Sequence, residues 1–534
     1  MLQTSKSWDK AINANARTND ISVQFQFSPD GANENAVISV NNSAEISDLE
    51  QVKDGIWDTS TRYTTLERNF WLLDGGMEIP PAVIDYSEKE IGYWSEVIAD
   101  ETGTFAKGSK PAVSIILDNV YDLVGMTIKF NDLYNEFATD FQILFINIRN
   151  QIIANKTVAE NKDNFAVVDL AAQGVKQIKI VINKSCLPFR RCRMLEIFAG
   201  EVKLFTSKEI ISFEFNGNVS IFESAFDCPN FSLTVDNSRG DYDVLNPQGV
   251  FAYLSEKMKF SAKIGTLTEI GMEWLSLGDF YLYDIPTSQQ QETATFNCKP
   301  KIGLTDDVVY AASDNELTTV QHICETIFGL ADISMSDVII PASVATKTVN
   351  NYAGDNVALT DAFMQIAIAA GCFWKIHRKG TYEMIPVSAL FENSVYDIDY
   401  DNSFSKSAIT RQNITSVSTT ANYFKTYSWN DGYQNWTSET ITETMSTDNG
   451  GNMKISSAFV RFGEEATALA KLALAYYSQH PLTFQTECRG NPAVECGDIV
   501  NVETDYGKFK AILTEQKISF DDSRFLTTTM AGRG

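Results

Sequence analysis

Alternating apolar and polar residues dominate the chain. Segments 21–27, 210–215 and 231–235 place apolar side chains at every second position, as in Phe231-Ser-Leu-Thr-Val235. Successive side chains of a β-strand point to opposite faces of its sheet, so this period predicts half-buried strands. Turn-forming dipeptides recur between such segments: Asp30-Gly31, Asp74-Gly75, Asp431-Gly432, Asn449-Gly450 and Tyr506-Gly507. The pattern predicts a mainly β protein with several sheets.

Three segments show the helical period instead. Segment 356–370 carries apolar residues on one helical face and is followed by Gly371, where a left-handed residue is favoured. Segment 463–477 is rich in Ala and Leu and opens with Glu464, whose charge suits a helix N-terminus. A weaker helix is predicted at 319–330. These helices are few enough to serve as packing elements against the sheets.

The length and composition indicate several packed cores. The 534 residues suggest a few domains of roughly 150 residues each. Hydrophobic residues make up 44% of the chain and aromatic residues 11%, which excludes a disordered acidic tail. The net charge of −26 argues against a protein that grips nucleic acid through its phosphates, because such binding needs dense Lys and Arg.

The charge is unevenly distributed along the chain. Residues 107–210 carry 14 Lys+Arg and 11 Asp+Glu, a net charge of +3, which leaves −29 for the remainder. Such a shift marks an independently evolved module. Together with Pro80-Pro81 and the changes in pattern, it predicts four regions: 1–85, 86–204, 205–300, and a last region that divides near residue 400 into a mixed α/β part (301–400) and a β part with one helix (401–534).

The chain shows no sign of membrane insertion or of a disulfide framework. Its first residues lack the apolar core of a signal peptide, and Asp361 and Gln365 interrupt its most apolar stretch, 358–374. The eight Cys residues are scattered singly, at no metal-ligand or CxxC spacing. We expect reduced, mostly buried thiols in a protein that folds in the cytosol.

Candidate catalytic groups are sparse. No GxSxG, HExxH or phosphate-binding glycine loop is present, and the only histidines are His322, His377 and His480. His377 lies in a predicted strand that runs into a hairpin turn, which favours a surface or hydrogen-bonded histidine over a general base. A zinc site formed by His480, Cys488 and Cys496 is conceivable, although its spacing fits no common pattern.

The acidic residues offer no distinct site. The run Asp397-Ile-Asp399-Tyr-Asp401-Asn402 imitates the start of a calcium loop, but Asn402 and Ala408 stand where that loop needs Gly and Glu. Solvated carboxylates on a strand are the favoured interpretation. A glycosidase would need two facing carboxylates, which cannot be chosen among 69 acidic residues.

One basic and one aromatic cluster leave alternatives open. The first could bind an anion or an acidic partner, or could be an exposed strand edge paired with nearby acids: Arg190-Arg191-Cys192-Arg193. The second could stack on a sugar, although core packing explains it more economically: Tyr63, Phe70, Trp71, Tyr93 and Trp94.

Three groups of stretches follow one another along the chain. They are Tyr63-Thr-Thr-Leu-Glu-Arg-Asn-Phe-Trp-Leu-Leu-Asp-Gly75 with Gly92-Tyr-Trp-Ser95, residues 356–374 with Gly380-Thr-Tyr-Glu-Met-Ile-Pro386, and Asn491-Pro-Ala-Val-Glu-Cys-Gly-Asp-Ile-Val-Asn-Val502 with residues 511–520. In this order they resemble the baseplate hub (tail-associated) proteins of bacteriophage tails and phage-tail-like bacteriocins. The resemblance covers most of the chain and rests on the combination of these motifs.

The resemblance implies a structural protein rather than an enzyme, with no catalytic residue, cofactor or metal. It implies a homotrimer whose six tube-like β-barrels, two per subunit, form a ring that adapts the sixfold tail tube to the threefold spike. Residues 1–85 with 205–300 and residues 401–534 would form the barrels, and 301–400 the connecting α/β domain. Expected partners are the tail tube protein, the tape measure protein, the spike and other baseplate proteins.

The same resemblance implies a position at the tip of a virion tail or bacteriocin particle, after synthesis in the bacterial host cytoplasm. It leaves open whether the tail contracts. DNA would pass through the ring in transit without specific binding. The charge of −29 outside residues 107–210 suggests an acidic lumen, because negative walls repel phosphates.

Region 86–204 resembles a discoidin-like galactose-binding β-sandwich. The strands that carry the likeness are 112–117, 125–130, 141–145, 178–182 and 193–198. The alternative function is therefore a host-surface carbohydrate-binding adhesin that holds a cell-wall glycan. No sugar-contacting residue is assigned, because the loops of that family cannot be aligned here, and the fold alone does not establish lectin function.

Overall fold

The computed structural model describes residues 1–53, 91–131, 135–311, 317–351, 357–390, 395–426, 434–444, 450–521 and 526–534, apart from positions 15, 30, 34, 224, 244–245, 247–256, 270, 285–291 and 462. Several sequence features lie outside these residues: Asp30, the motif 63–75 with Tyr63, Phe70, Trp71 and Asp74-Gly75, Pro80-Pro81, Asn356, Asp431-Gly432 and Asn449.

The protein is mainly β, with several sheets and more than one domain, as the alternating pattern predicts. It separates into two compact units. Unit 1 comprises Met1–Val23 and Phe205–Gly534, and unit 2 comprises Gln24–Leu204. Unit 2 begins well before residue 86, because the strand at 37–40 pairs with a strand of the 86–204 region. The tube-like barrels, the discoidin-like sandwich and the four-part division stay predictions.

Among the described residues up to 206 there are one short α-helix and nine strands. The elements are α1 (Lys6–Ile12), β1 (Asn19–Phe27), β2 (Val37–Val40), β3 (Tyr93–Ile98), β4 (Ala112–Phe130), β5 (Ala138–Ile146), β6 (Ile152–Val158), β7 (Phe165–Ser185), β8 (Arg191–Phe198) and β9 (Glu201–Thr206). Helix α1 is not predicted from its sequence. It is short, and it begins at Ser5, whose hydroxyl accepts a hydrogen bond from the Trp8 N–H.

Unit 2 is built on one seven-stranded sheet in the order β3-β8-β4-β7-β5-β6, with β2 also paired to β4. Strands β4 and β7 are long and antiparallel, and their register shifts near Tyr121 and Leu123. Apolar residues at alternate positions, such as Phe141, Ile143 and Phe145 of β5, form its core. The five strands predicted in this region are all present, the first two as one continuous strand.

The rest of unit 1 contains the remaining elements. They are β10 (Ile210–Asn218), β11 (Asn230–Asp236), β12 (Lys259–Thr268), β13 (Gly271–Asp284), β14 (Thr293–Lys299), β15 (Val309–Tyr310), β16 (Leu317–Thr319), α2 (Val320–Leu330), β17 (Val338–Ile339), α3 (Ala342–Ala345), β18 (Thr348–Asn350), β19 (Val357–Ala358), α4 (Leu359–Ala370), β20 (Cys372–Ile376), β21 (Tyr382–Pro386), β22 (Tyr396–Ile398), β23 (Ala408–Arg411), β24 (Ile414–Thr426), β25 (Gln434–Thr444), β26 (Gly451–Arg461), α5 (Glu464–Gln479), β27 (Leu482–Cys488), β28 (Ile499–Thr504), β29 (Gly507–Asp521) and β30 (Leu526–Arg533).

The main sheet of unit 1 runs in the order β23-β27-β30-β29-β10-β11-β14-β13-β12, with β28 paired to β29 and β22 to β28. Smaller sheets, β25-β24-β26 and β17-β21-β20, pack with the helices around a second apolar cluster. In that cluster the Phe363 ring stacks on Trp374 with centroids 4.8 Å apart. Helix α4 thereby holds the β20–β21 hairpin in place.

The three predicted helices are confirmed as α2, α4 and α5. Thr319 caps α2 by accepting the N–H of His322. Gly371 ends α4 with φ of 72°, the left-handed conformation expected there. Within the described residues, no helix is long and apolar enough to cross a membrane. All eight cysteines are described, and each is a free thiol, as predicted.

Candidate functional site

The pairing of β10 with β29 joins two distant parts of the chain. Their antiparallel register runs from Ser212 opposite Asp521 to Asn218 opposite Glu515. Strand β10 belongs to the part predicted to form the first tube-like barrel, and β29 to the part predicted to form the second. Strands from both parts therefore lie side by side in a single sheet. We call the β10–β29 pairing the seam. No local sequence pattern could reveal it.

One face of this sheet is polar and carries little net charge. Because alternate side chains share a face, the registers of six neighbouring strands place the following residues together. They are Thr483, Gln485, Glu487, Thr527, Thr529, Ala531, Arg533, Glu515, Lys517, Ser519, Ser212, Glu214, Asn216, Asn218, Asn230, Ser232, Thr234, Asp236, Thr293, Thr295, Asn297 and Lys299. Seven of these 22 side chains are charged, four acidic and three basic, so their net charge is −1. We call this set the polar face.

Hydrogen bonds between neighbouring strands order the polar face. Ser232 Oγ donates to Asn297 Oδ1 at 2.8 Å, and the hydroxyls of Thr234 and Thr295 lie 3.0 Å apart. Such cross-strand pairs are a usual source of sheet stability. These two contacts satisfy the hydroxyl and amide groups of the four residues within the sheet.

A salt bridge across the seam neutralises one cation of the face. Lys517 Nζ lies 2.6 Å from Glu214 Oε2. Burial alone would raise the pKa of Glu214, but Lys517 and Asn216 together lower it. Glu214 is therefore ionised at neutral pH and offsets the charge of Lys517.

The opposite face of the same strands is aromatic and buried. The Phe231 ring lies 5.5 Å from Phe213, 5.9 Å from Phe260 and 5.0 Å from Phe280, measured between centroids. Edge-to-face and tilted contacts of this kind stabilise cores beyond their buried area. The aromatic layer fixes the sheet, and so holds the polar face in position.

A cavity of about 310 Å³ lies where the main sheet meets the β20–β21 hairpin. Phe215, Phe280, Tyr382 and Arg378 are among its lining residues. Arg378 is buried and donates from Nη2 to Val494 O at 3.1 Å and to Gln516 Oε1 at 2.7 Å. Its guanidinium thus serves to attach the hairpin to the sheet.

The three histidines occupy different environments. His322 is exposed on α2, and His480 follows the last turn of α5, where burial and Arg533 lower its pKa. His377 lies in the turn after β20, with Nε2 2.7 Å from Glu383 Oε2. The prediction of a hydrogen-bonded histidine is therefore confirmed, but His377 lies just beyond the end of its predicted strand.

The zinc hypothesis finds no support in the structure. Burial raises the pKa of Cys488 to about 11 and that of Cys496 to about 12, so both thiols are protonated when no metal ion is bound. Within the described part of the chain, no group of three or more His, Cys, Asp or Glu residues is placed to hold a metal ion.

The calcium-like run begins in strand β22, which ends at Ile398, and continues as a turn at residues 400–402. Asp397 in β22 accepts hydrogen bonds from Lys508 Nζ at 2.7 Å and Asn501 Nδ2 at 2.6 Å. Asp399 accepts from the backbone N–H of Asn402 at 3.0 Å. These bonds hold the two carboxylates in protein contacts. The strand interpretation is right for Asp397 and Ile398 and wrong for residues 400–402, where the chain turns.

The arginine cluster is internal rather than an exposed strand edge. Strand β8 pairs with β3 on one side and β4 on the other. Glu136 is buried and lies 3.0 Å from Arg190 Nε and 2.7 Å from Arg193 Nη1. The predicted pairing with acids is right, but the predicted exposure is wrong, because Glu136 draws the guanidinium groups inward.

Tyr93 and Trp94 are also buried, as the core-packing interpretation predicts. The Trp94 ring lies 4.0 Å from the guanidinium carbon of Arg193 and is thus covered by a cation–π contact. The cavity beside Arg193 measures about 10 Å³, the space of roughly one water molecule. A sugar ring does not fit there.

Comparisons with known proteins give low similarities. No family model and no curated protein sequence matches the chain. Among solved structures, a tail protein from Neisseria meningitidis MC58 is 11% identical with a TM-score of 0.43, covering 62% of this chain and 94% of its own. The 43 kDa tail protein of prophage MuSo2 from Shewanella oneidensis is 11% identical with a TM-score of 0.40, covering 62% and 95%.

The prophage tail protein gp18 from Listeria monocytogenes EGD-e is 12% identical with a TM-score of 0.39, covering 62% of this chain and 91% of its own. At these scores the similarities do not establish a shared fold or function. The polar face and the seam are therefore interpreted from their own geometry and from the sequence motifs.

Proposed function

We propose that the chain is a structural protein of a bacteriophage tail or phage-tail-like bacteriocin, the baseplate hub at the tail tip. The observation that carries the proposal is the seam, which continues the two parts predicted as tube-like barrels into one sheet with a neutral polar face. A channel wall past which DNA and protein move without binding needs such a surface. A neutral polar face offers few cations to phosphate groups and few apolar groups to protein.

The sequence motifs also meet in space. Lys375, between the two stretches of the second motif, contacts Asp498 of the third motif at 2.8 Å. Arg378 joins the same two regions through Val494 and Gln516. The regions of the second and third groups of stretches therefore pack together in unit 1, which supports a shared structural role for these two groups.

In the proposed assembly, three copies form a ring, the polar face lines its lumen, and the tape measure protein and DNA pass through. The tail tube protein, the spike and other baseplate proteins are its neighbours. The overall charge favours an acidic lumen, whereas the polar face is nearly neutral. We therefore attribute the absence of DNA adhesion to the scarcity of unpaired cations rather than to strong repulsion.

The mass of the full chain in solution tests the ring. Size-exclusion chromatography with light scattering, alone and with the cognate tail tube protein, should yield a complex containing three chains of 59.5 kDa each. A chain that stays monomeric under both conditions would contradict the hub. A dimer or a tetramer would contradict it equally, because neither adapts sixfold to threefold symmetry.

A further inference from the structure

The β20–β21 hairpin is attached to the loop 492–498 by buried ionic contacts. Lys375 Nζ lies 2.8 Å from Asp498 Oδ1, and both side chains are only 7% exposed. Arg378 adds hydrogen bonds to the carbonyl oxygens of Pro492 and Val494. We call this attachment, together with the His377 contacts described next, the hairpin joint.

His377 contributes the one imidazole of the hairpin joint. Its Nε2 lies 2.7 Å from Glu383 Oε2 on the same hairpin, and its Nδ1 lies 3.8 Å from Glu495 Oε2 on the loop. A protonated imidazole carries N–H groups on both nitrogens and can face two carboxylates, whereas the neutral ring donates from only one. The geometry therefore suits the charged form.

The charged groups around His377 also favour its protonated form. Glu495 and then Glu383 raise the pKa of His377 above its ordinary value of 6.5, against the opposing effects of burial and Lys375. Burial alone would raise the pKa of Glu495, but His377, with Lys375 and Arg378, lowers it to about 2. The two shifts describe one ion pair between the hairpin and the loop.

Other charged groups lie nearby. The Met1 amino group is 2.7 Å from Asp498 Oδ2 and 3.9 Å from Glu495 Oε2. Arg378 directs its guanidinium toward the loop carbonyls and also donates its backbone N–H to Glu495 at 3.2 Å. Lys379 lines the adjacent cavity. Any pH dependence of the joint must therefore be measured as a difference between variants.

We propose that His377 makes the hairpin joint pH-sensitive, holding the β20–β21 hairpin on the loop 492–498 when protonated and loosening it on losing its proton. Because folding raises the histidine pKa, its contribution is full below about pH 6.5 and is lost as the pH rises through the folded value. The Glu495 contribution is full above about pH 4.5 and is lost only toward pH 2. The joint is tightest between these limits.

Hydrogen exchange of the full chain tests the proposal. Protection of peptides from 372–386 and 491–500, corrected for intrinsic exchange, should fall between pH 5.5 and 8.5. For each unit by which folding raises the pKa of His377, the equilibrium constant for opening of the hairpin joint should change about tenfold. His377→Gln should remove this step, whereas the matched variant His322→Gln, at an exposed helical position, should keep it.

The comparison with His377→Gln removes the contribution of every other titrating group, including the Met1 amino group. An unchanged step in His377→Gln would overturn the proposal. If His377→Gln does not fold, Glu383→Gln provides an independent readout. Losing the Glu383 carboxylate should shift the midpoint of the step to lower pH. An unchanged midpoint in Glu383→Gln would then overturn it. Neither outcome depends on the oligomeric state.

Discussion

The main sheet of unit 1 and the arginine cluster of unit 2 place charged groups differently. In the main sheet of unit 1, rings such as Phe231 fill one face, and hydroxyl and amide groups cover the other. In unit 2, the charged cluster of Glu136, Arg190 and Arg193 is internal, while Ile148 and Ile152 are 69% and 56% exposed. Charged groups thus lie among polar side chains on one face of the sheet in unit 1, and inside the fold in the cluster of unit 2.

The largest expected effect comes from breaking the aromatic layer beneath the polar face. Phe231→Ala removes a ring that contacts three other phenylalanines, and it should lower the free energy of unfolding of unit 1 by about 3–5 kcal/mol. Urea unfolding measures this loss. The neighbouring Ser232→Ala, on the polar face, should change it by less than about 0.5 kcal/mol. Equal effects would refute the division of roles between the two faces.

The next effect concerns the buried charges of unit 2. Glu136→Gln leaves Arg190 and Arg193 without their carboxylate and should destabilise unit 2 by about 3 kcal/mol, because uncompensated buried charge is costly. Hydrogen exchange localises the loss to residues 24–204. The surface variant Glu160→Gln is the matched control and should leave the stability of unit 2 unchanged. A silent Glu136→Gln would show that the cluster is solvated rather than internal.

Adding cations to the polar face should create affinity for DNA. The double variant Ser232→Lys/Thr295→Lys should bind labelled duplex DNA, with log affinity falling against log salt at a slope of about −1.8 for two phosphate contacts. Fluorescence anisotropy at several salt concentrations measures this slope. The wild type should not bind measurably, and Ser336→Lys/Thr346→Lys, which adds the same charge away from the sheet, should bind more weakly. Strong binding by the wild type would exclude a non-adhesive face.

The smallest effect is a pH dependence confined to unit 2. Burial, followed by a hydrogen bond with Asp169, raises the pKa of Glu201 from 4.5 to about 7. The folded state therefore holds this proton more tightly, and stability falls as the pH rises from about 4.5 to about 7. Glu201→Gln should raise the free energy of unfolding by about 1 kcal/mol at pH 8, after allowance for solvent screening, and should change little at pH 4. Thermal unfolding at the two pH values tests this.

The local elements were predictable because their signals are local. Period-two alternation marked β10 and β11, and Gly371 marked the end of α4, since each depends on a few consecutive residues. Helix α1 was missed, because seven residues give too short a periodic signal. The neutral character of the polar face could have been noticed in Phe231-Ser-Leu-Thr-Val235, where every outward residue is an uncharged hydroxyl.

The sequence alone determined the mainly β class, three of the helices and which side chains share a face, because the periods of strands and helices are properties of consecutive residues. Only the tertiary structure decided which strands are neighbours and which charges meet. The pairing of β10 with β29, Glu136 with Arg193, and His377 with Glu495 joins residues far apart in the chain. Such contacts form where burial makes an unpaired polar group costly, and no local pattern records that choice.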